Sequence, residues 1–353
     1  MMNKAYFGAT LFVFFAAAWA STTAKGQTDA DTPQADVAIA KAATYRPGHD
    51  FSPLTDQLCA EPKPQEAKPP QPAPAVQSAA AFAARKVPPR SSWFAEPAKV
   101  FDNLYYVGTQ IQSMWAVKTS QGIILHDTSF DYSVQTAVDE GFPKVGLDPT
   151  QIKYIIVAHA HTDHYLGARY LQQKYHAHVI MSEADWNVLA KDDTPAEFKP
   201  EKDMVATDGM KLTLGDTTLT LYITPGHTPG TITTLFPLSD KGQRHLGVLW
   251  GGTAVPQTRG YSDDGTESIR LYNASAKRMK EISAKAGADV LLSSHTNYDK
   301  TLDMINAIRF RNPGDTHPFV SKDAVQRWFT IAYECTAAQM LWKTHTSSSA
   351  EVK

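Results

Sequence analysis

Four side chains able to bind a metal ion fall within six positions in Ala158-His159-Ala160-His161-Thr162-Asp163-His164. The segment leaves an apolar run, Ile155-Ile156-Val157, of the kind found in a strand buried on both faces. Residues i and i+2 of an extended chain share a face, so His159 and His161 can address one ion. A turn beyond them aims Asp163 and His164 at a neighbouring position. Neutral imidazoles with one carboxylate suit Zn²⁺. Three histidines and an aspartate this close together are hard to satisfy by hydrogen bonding alone.

Metal sites draw on more than one loop. Pro225-Gly226-His227-Thr228-Pro229-Gly230 puts a histidine in a Gly/Pro-rich turn after the alternating run Leu219–Ile223. Ser293-Ser294-His295 puts another directly after Val290-Leu291-Leu292. Each of these stands at a strand exit, where functional residues collect in α/β folds. The remaining histidines, among them His49, His176, His178, His245, His317 and His345, lack such company. His126 is set apart only by its neighbour Asp127.

The elements that must carry these loops can be read around them. Further short strands are expected at Leu104–Val107, Trp115–Val117, Gly122–Leu125, His178–Met181 and Val248–Trp250. Helices are expected at Leu166–Tyr175, from the N-cap Ser182 to Leu189, and at Ser268–Ala286, Asp299–Arg309 and Asp323–Met340. Strands interleaved with helices imply an α/β layered domain.

Before that domain, residues 21–90 are poor in large apolar side chains, and Pro62, Pro64, Pro69, Pro70, Pro72 and Pro74 alternate with Lys, Glu, Gln and Ala. Such a stretch buries little, so it is read as a disordered Pro/Ala-rich linker. Residues 1–20 read as a secretory signal: Lys4, an apolar run from Ala5 to Ala18, and the small-x-small site Ala18-Trp19-Ala20. The run is short for a membrane span of about 20 residues. Residues 91–345 are left as the catalytic domain. A net charge of -2 gives no electrostatic footprint for nucleic acid or an anionic membrane. A small-molecule substrate is therefore expected, with no nucleic acid and no membrane after signal cleavage. Two cysteines, Cys59 and Cys335, exclude a thiolate-built zinc site and leave open whether they pair.

HAHTDH and PGHTPGT resemble the HxHxDH signature and the second metal loop of the metallo-β-lactamase superfamily, over about Ser91 to Met340. The resemblance implies a four-layer αββα sandwich. It implies two Zn²⁺, the first held by His159, His161 and His227, the second by Asp163, His164 and His295. Glyoxalase- and lactonase-type members carry a bridging Asp between the last two histidines, and one β-lactamase subclass carries a Cys. Here Trp250-Gly251-Gly252-Thr253 has neither, and with His164 among the ligands the pattern resembles subclass B3. Trp93, the run Asn103–Gly108, Asn312-Pro313 and the segment Asp323–Cys335 resemble it too.

The resemblance implies a zinc-dependent β-lactamase acting in the periplasm through a metal-bound hydroxide, conferring antibiotic resistance. Asp163 orients the nucleophile, Asp127 supports a ligand, and Thr253 meets the substrate carboxylate where that subclass commonly has Ser. Met114 and Trp115 are expected in the core rather than in a flap; Tyr261 and Asn297 are further polar candidates for substrate contact. Ala288 stands where some members have the cysteine that pairs with the equivalent of Cys335, leaving Cys335 free or paired with Cys59. A related zinc hydrolase of lactones, esters or another cyclic amide is the alternative. A zinc-binding protein without activity is disfavoured, because structural zinc sites close with four ligands.

Overall fold

The computed structural model describes residues 32–61, 78–253, 261 and 265–350, with side chains through 344. The signal segment, residues 1–20, and the Pro-rich stretch 62–77 lie outside the described residues. Among the described residues no helix is long and apolar enough to cross a membrane.

The chain enters through helix α1 (Pro33–Thr44), a small hairpin of β1 (Tyr45–Arg46) and β2 (His49–Asp50), and helix α2 (Ser52–Leu58). Thr32 caps α1 by accepting from the Ala35 amide, and proline stands in its first turn. A seven-stranded sheet follows: β3 (Ala98–Lys99), β4 (Leu104–Tyr106), β5 (Trp115–Thr119), β6 (Gly122–His126), β7 (Ile152–Ile156), β8 (His178–Ser182) and β9 (Met204–Ala206), adjacent in that order. From β3 to β6 the pairing is antiparallel; from β6 to β9 it is parallel. The parallel half is crossed over by α4 (Asp131–Gln135), α5 (Gly141–Lys144), α6 (Thr162–Tyr165), α7 (Ala168–Tyr175) and α8 (Glu183–Lys191), after the short α3 (Ala79–Ala83).

A second sheet of five strands comprises β10 (Met210–Leu214), β11 (Thr217–Ile223), β12 (Ile232–Asp240), β13 (Gln243–Trp250) and β14 (Val290–Ser293). Helix α9 (Thr266–Ala286) crosses between β13 and β14, which pair in parallel. Helices α10 (Thr296–Asp299), α11 (Thr301–Ile308) and α12 (Lys322–Ala350) complete the chain.

Strand alternation sorts the apolar residues into three cores and thereby makes four layers. On the first sheet Ile123, Leu125, Ile155, Val179 and Met181 face the helices, meeting Val138, Phe142, Leu171 and Trp186. Their neighbours Ile124, Ile156 and Ile180 face the other sheet, meeting Leu221, Ile232, Leu249 and Leu292. On the far side Val248, Trp250 and Leu291 pack on Tyr272, Met279, Trp328 and Phe329. The αββα sandwich expected from the resemblance is present. The strand runs and the Ser182-capped helix fall where the sequence places them, the helix extending to Lys191.

The linker reading is corrected for its described parts. Residues 32–61 pack on the domain: Ala40, Phe51, Leu54 and Leu58 are fully buried in the third core. Cys59 forms a disulfide with Cys335 of α12. Small alanine faces let α1 lie close to α12, and a few apolar residues suffice to dock α2. Averaged with the proline-rich stretch beyond them, those residues are too sparse to register in composition.

Candidate metal centre

All three ligand loops leave strands at one edge of the sandwich. His159 and His161 follow β7, His227 sits between β11 and β12, and His295 follows β14. Three donor atoms form one cluster: the Nε2 of His227 lies 3.1 Å from Nε2 of His159 and 3.0 Å from Nδ1 of His161. Three form another: Nε2 of His164 lies 3.3 Å from Nε2 of His295, and Oδ2 of Asp163 lies 3.5 Å from each. Both trios are grouped tightly enough to hold an ion. Donors set about 2.0–2.1 Å from a shared tetrahedral zinc stand roughly 3.3 Å from one another, so the spacing fits.

The tautomers fit as well. The Nδ1 of His159 faces the carbonyl oxygen of Gly251 at 2.8 Å; a carbonyl only accepts, so Nδ1 carries the proton and Nε2 keeps its lone pair. The Nδ1 of His164 donates in the same way to Oδ2 of Asp127 at 2.9 Å. Ring orientation fixed from behind by an acceptor is the arrangement that metal-binding histidines need. His159, His164 and His227 are buried, and His161, Asp163, His227 and His295 line a cavity of about 390 Å³.

Burial and neighbouring histidines hold His159 well below its ordinary pKa. Burial, then the charge of His164, lowers His295 to about 4. His164 goes the other way: burial opposes its charge, but Asp163 and Asp127 raise it to about 9. Burial alone raises a carboxylate, yet the charge of His164, the hydrogen bond from His164 and the nearby His126 hold Asp127 well below the usual range. Asp127 adopts φ +61°, a left-handed conformation costly for a residue with a side chain. Its Oδ1 is held there by the Ala158 amide at 2.7 Å, which ties the end of β6 to the ligand loop.

Asp185, which sequence reading passes over, clamps two ligand loops together. Its Oδ2 accepts from the Ala160 amide at 2.9 Å and the Thr228 hydroxyl at 2.7 Å, and its Oδ1 from the Gly230 amide at 2.8 Å. Burial raises its pKa to about 6 against those bonds. Asp299 serves the third loop, accepting from the amides of Ser293 and Thr301, each at 2.9 Å. Glycine is required beside His227: Gly226 has φ +140°, and a Cβ there would stand 2.4 Å from the Cα of Tyr272. At Gly252 a Cβ would stand 2.6 Å from that of His227, so no metal-bridging side chain fits.

The six expected ligands are brought together. Thr253 is not at the cavity: it is 1% exposed, with its hydroxyl 2.7 Å from that of Ser293 and 3.1 Å from that of Ser294. Asn297 lines the cavity; Tyr261 is not among its lining residues, and Met114 and Trp115 are buried in the core. His126 stands outside both clusters, 3.1 Å from the hydroxyl of Thr234. Ile111 and Tyr298 also line the cavity and escaped the sequence reading; only Tyr298, three residues after His295, carried a positional hint.

Residues 107–239 match the family model described as metallo-beta-lactamase superfamily. Among solved structures, BJP-1, a subclass B3 metallo-beta-lactamase of Bradyrhizobium japonicum, is 26% identical, with 74% of this chain and 98% of that one covered and a TM-score of 0.57. FEZ-1, the metallo-beta-lactamase from Legionella gormanii, is 24% identical, with 73% and 97% covered and the same TM-score. The chain has the metallo-beta-lactamase fold, matches the superfamily's model over residues 107–239, and is similar to the solved subclass B3 enzyme BJP-1.

Proposed function

We propose that the protein is a dizinc β-lactamase of subclass B3 type that hydrolyses the amide bond of penicillins, cephalosporins and carbapenems. One observation carries the reading: two three-donor clusters, the second including His164, open on one cavity with no side chain at Gly252 to bridge them. Resemblance to BJP-1, a subclass B3 metallo-beta-lactamase, supports it. Bound at both clusters, zinc supplies Lewis acidity and a water acidic enough to ionise near neutral pH.

His159, His161 and His227 would hold one ion; Asp163, His164 and His295 would hold the other. Asp163 is 22% exposed on the cavity side, so its carboxylate accepts a hydrogen bond from the attacking water and turns the water's lone pair toward the substrate carbonyl. The water oxygen joins the carbonyl carbon, the C–N bond breaks, and the nitrogen takes up the proton that the water gives up. The side-chain amide of Asn297 offers a donor to a substrate oxygen, while Ile111 and Tyr298 contact apolar parts of the ligand. No serine or cysteine is among the described residues lining the cavity, and the water attack leaves no acyl-enzyme.

The signal-like residues 1–20 support export to the periplasm, where such an activity confers antibiotic resistance. The test is hydrolysis of nitrocefin and imipenem by purified protein, with and without a chelator. Chelator-sensitive turnover is expected; no turnover by zinc-loaded protein contradicts the proposal and directs the search to lactones and esters.

A further inference from the structure

We infer that Gln57, on the N-terminal helix α2, is a positioning residue for the cavity: it holds the hydroxyl of Tyr298 so that the phenol ring forms a fixed apolar wall. The assignment rests on the zinc-hydrolase reading for its substrate, but not for its geometry.

Tyr298 lines the cavity together with Ile111, His295 and Asn297. Its ring stands edge-on to the ligand His295, with centroids 6.1 Å apart at 79°. Its hydroxyl donates to Oε1 of Gln57, a residue 241 positions away. That bond turns the phenol's polar end away from the cavity and satisfies it. What remains facing a ligand is ring carbon, suited to an apolar or aromatic substituent. Without the bond the hydroxyl is left to seek water, the ring regains rotamer freedom, and each binding event must order it again.

The platform behind Gln57 is built to hold still. Leu54 and Leu58 are fully buried against α12. Cys59 is bonded to Cys335, and the Gln339 side chain donates to the Leu58 carbonyl at 2.5 Å. The buried Arg327 guanidinium donates to the carbonyls of Ala43 at 2.9 Å and His49 at 3.3 Å, fixing the turn from α1 into α2. Helix α2 also packs directly on α10, which carries Tyr298. A segment whose composition marks it as dispensable thus supplies part of the substrate wall.

Two thiol ligands separate this role from general support of the metal centre. Mercaptoacetate engages zinc and reaches little further; 2-mercapto-3-phenylpropanoate adds a ring that reaches the wall. Dissociation constants are measured on zinc-loaded full-length protein and its variants. Gln57→Leu should weaken the phenyl ligand about tenfold, the scale of one lost hydrogen bond, and leave mercaptoacetate within about twofold. Gln57→Glu, which keeps the acceptor, should restore most of the difference. Tyr298→Phe should behave like Gln57→Leu, and the double variant should be no weaker than either single one. For β-lactam substrates the loss should appear in KM, with kcat within about twofold. Equal weakening of both thiols, additive effects in the double variant, or no change for the phenyl ligand would overturn the assignment. Absence of nitrocefin turnover by the wild-type protein sinks only the β-lactam reading, because the thiol constants then decide the role of Gln57.

Discussion

Residue by residue, the centre depends on groups that touch the ligands from behind. Asp127 shows why. With its Oδ1 held by the Ala158 amide, Oδ2 alone faces Nδ1 of His164. In Asp127→Asn the amide nitrogen takes that place. The imidazole must then accept at Nδ1 and carry its proton on Nε2, the atom that faces the second ion. Affinity at the second site should fall about 10–100-fold with the first site little changed, as competition with a chromophoric chelator would show. Equal affinities in variant and parent would mean that Asp127 has no part in orienting the ligand. The six clustered donors were legible in the sequence because metal chemistry restricts residue type and spacing together. The burial of Thr253 was not legible because sequence gives neighbourhood but not depth: its hydroxyl is 2.7 Å from that of Ser293 and 3.1 Å from that of Ser294.

Between elements, the ligand loops are held by buried carboxylates that no motif announces. Asp185 stands in the first turn of α8, where an acidic residue ordinarily serves the helix end. Its three acceptor bonds to the loops at Ala160, Thr228 and Gly230 arise only when the start of α8 meets one loop leaving β7 of its own sheet and another between β11 and β12 of the facing sheet, and no local pattern encodes that. Asp185→Ala should lower stability by about 3 kcal/mol at neutral pH, since buried donors on two loops lose their acceptor. The pH dependence has a definite sign. Burial raises Asp185 to about 6, above the unfolded value of 3.8, so between those values the native state binds more protons. Its contribution to stability therefore declines as pH rises from about 4 to about 6 and is level beyond. Denaturant melts of metal-free protein across that range should show this component in the parent and lack it in the variant. Identical pH profiles would assign the slope to other groups.

For the molecule as a whole, the legible part was the sandwich: runs such as Ile155–Val157 and Val290–Leu292 are apolar on both faces because sheets in this fold are covered twice. The N-terminal packing was not legible. Its apolar residues are few, and they are joined to the fold also by a covalent bond spanning 276 residues of sequence. Closing so long a loop restricts the unfolded chain by up to about 5 kcal/mol. Replacing Cys59 and Cys335 by serine should therefore lower the unfolding midpoint of zinc-saturated protein markedly, as should a reductant acting on the parent, while zinc content stays the same. An unchanged midpoint would leave the disulfide without a stabilising role.

The central claim is that two ions share this cavity, one on each trio of donors. Anomalous scattering at the zinc edge from crystals of the zinc-loaded protein addresses it most directly. Two peaks are predicted, one among His159, His161 and His227 and the other among Asp163, His164 and His295. A single peak, or a peak away from these six side chains, would contradict the account.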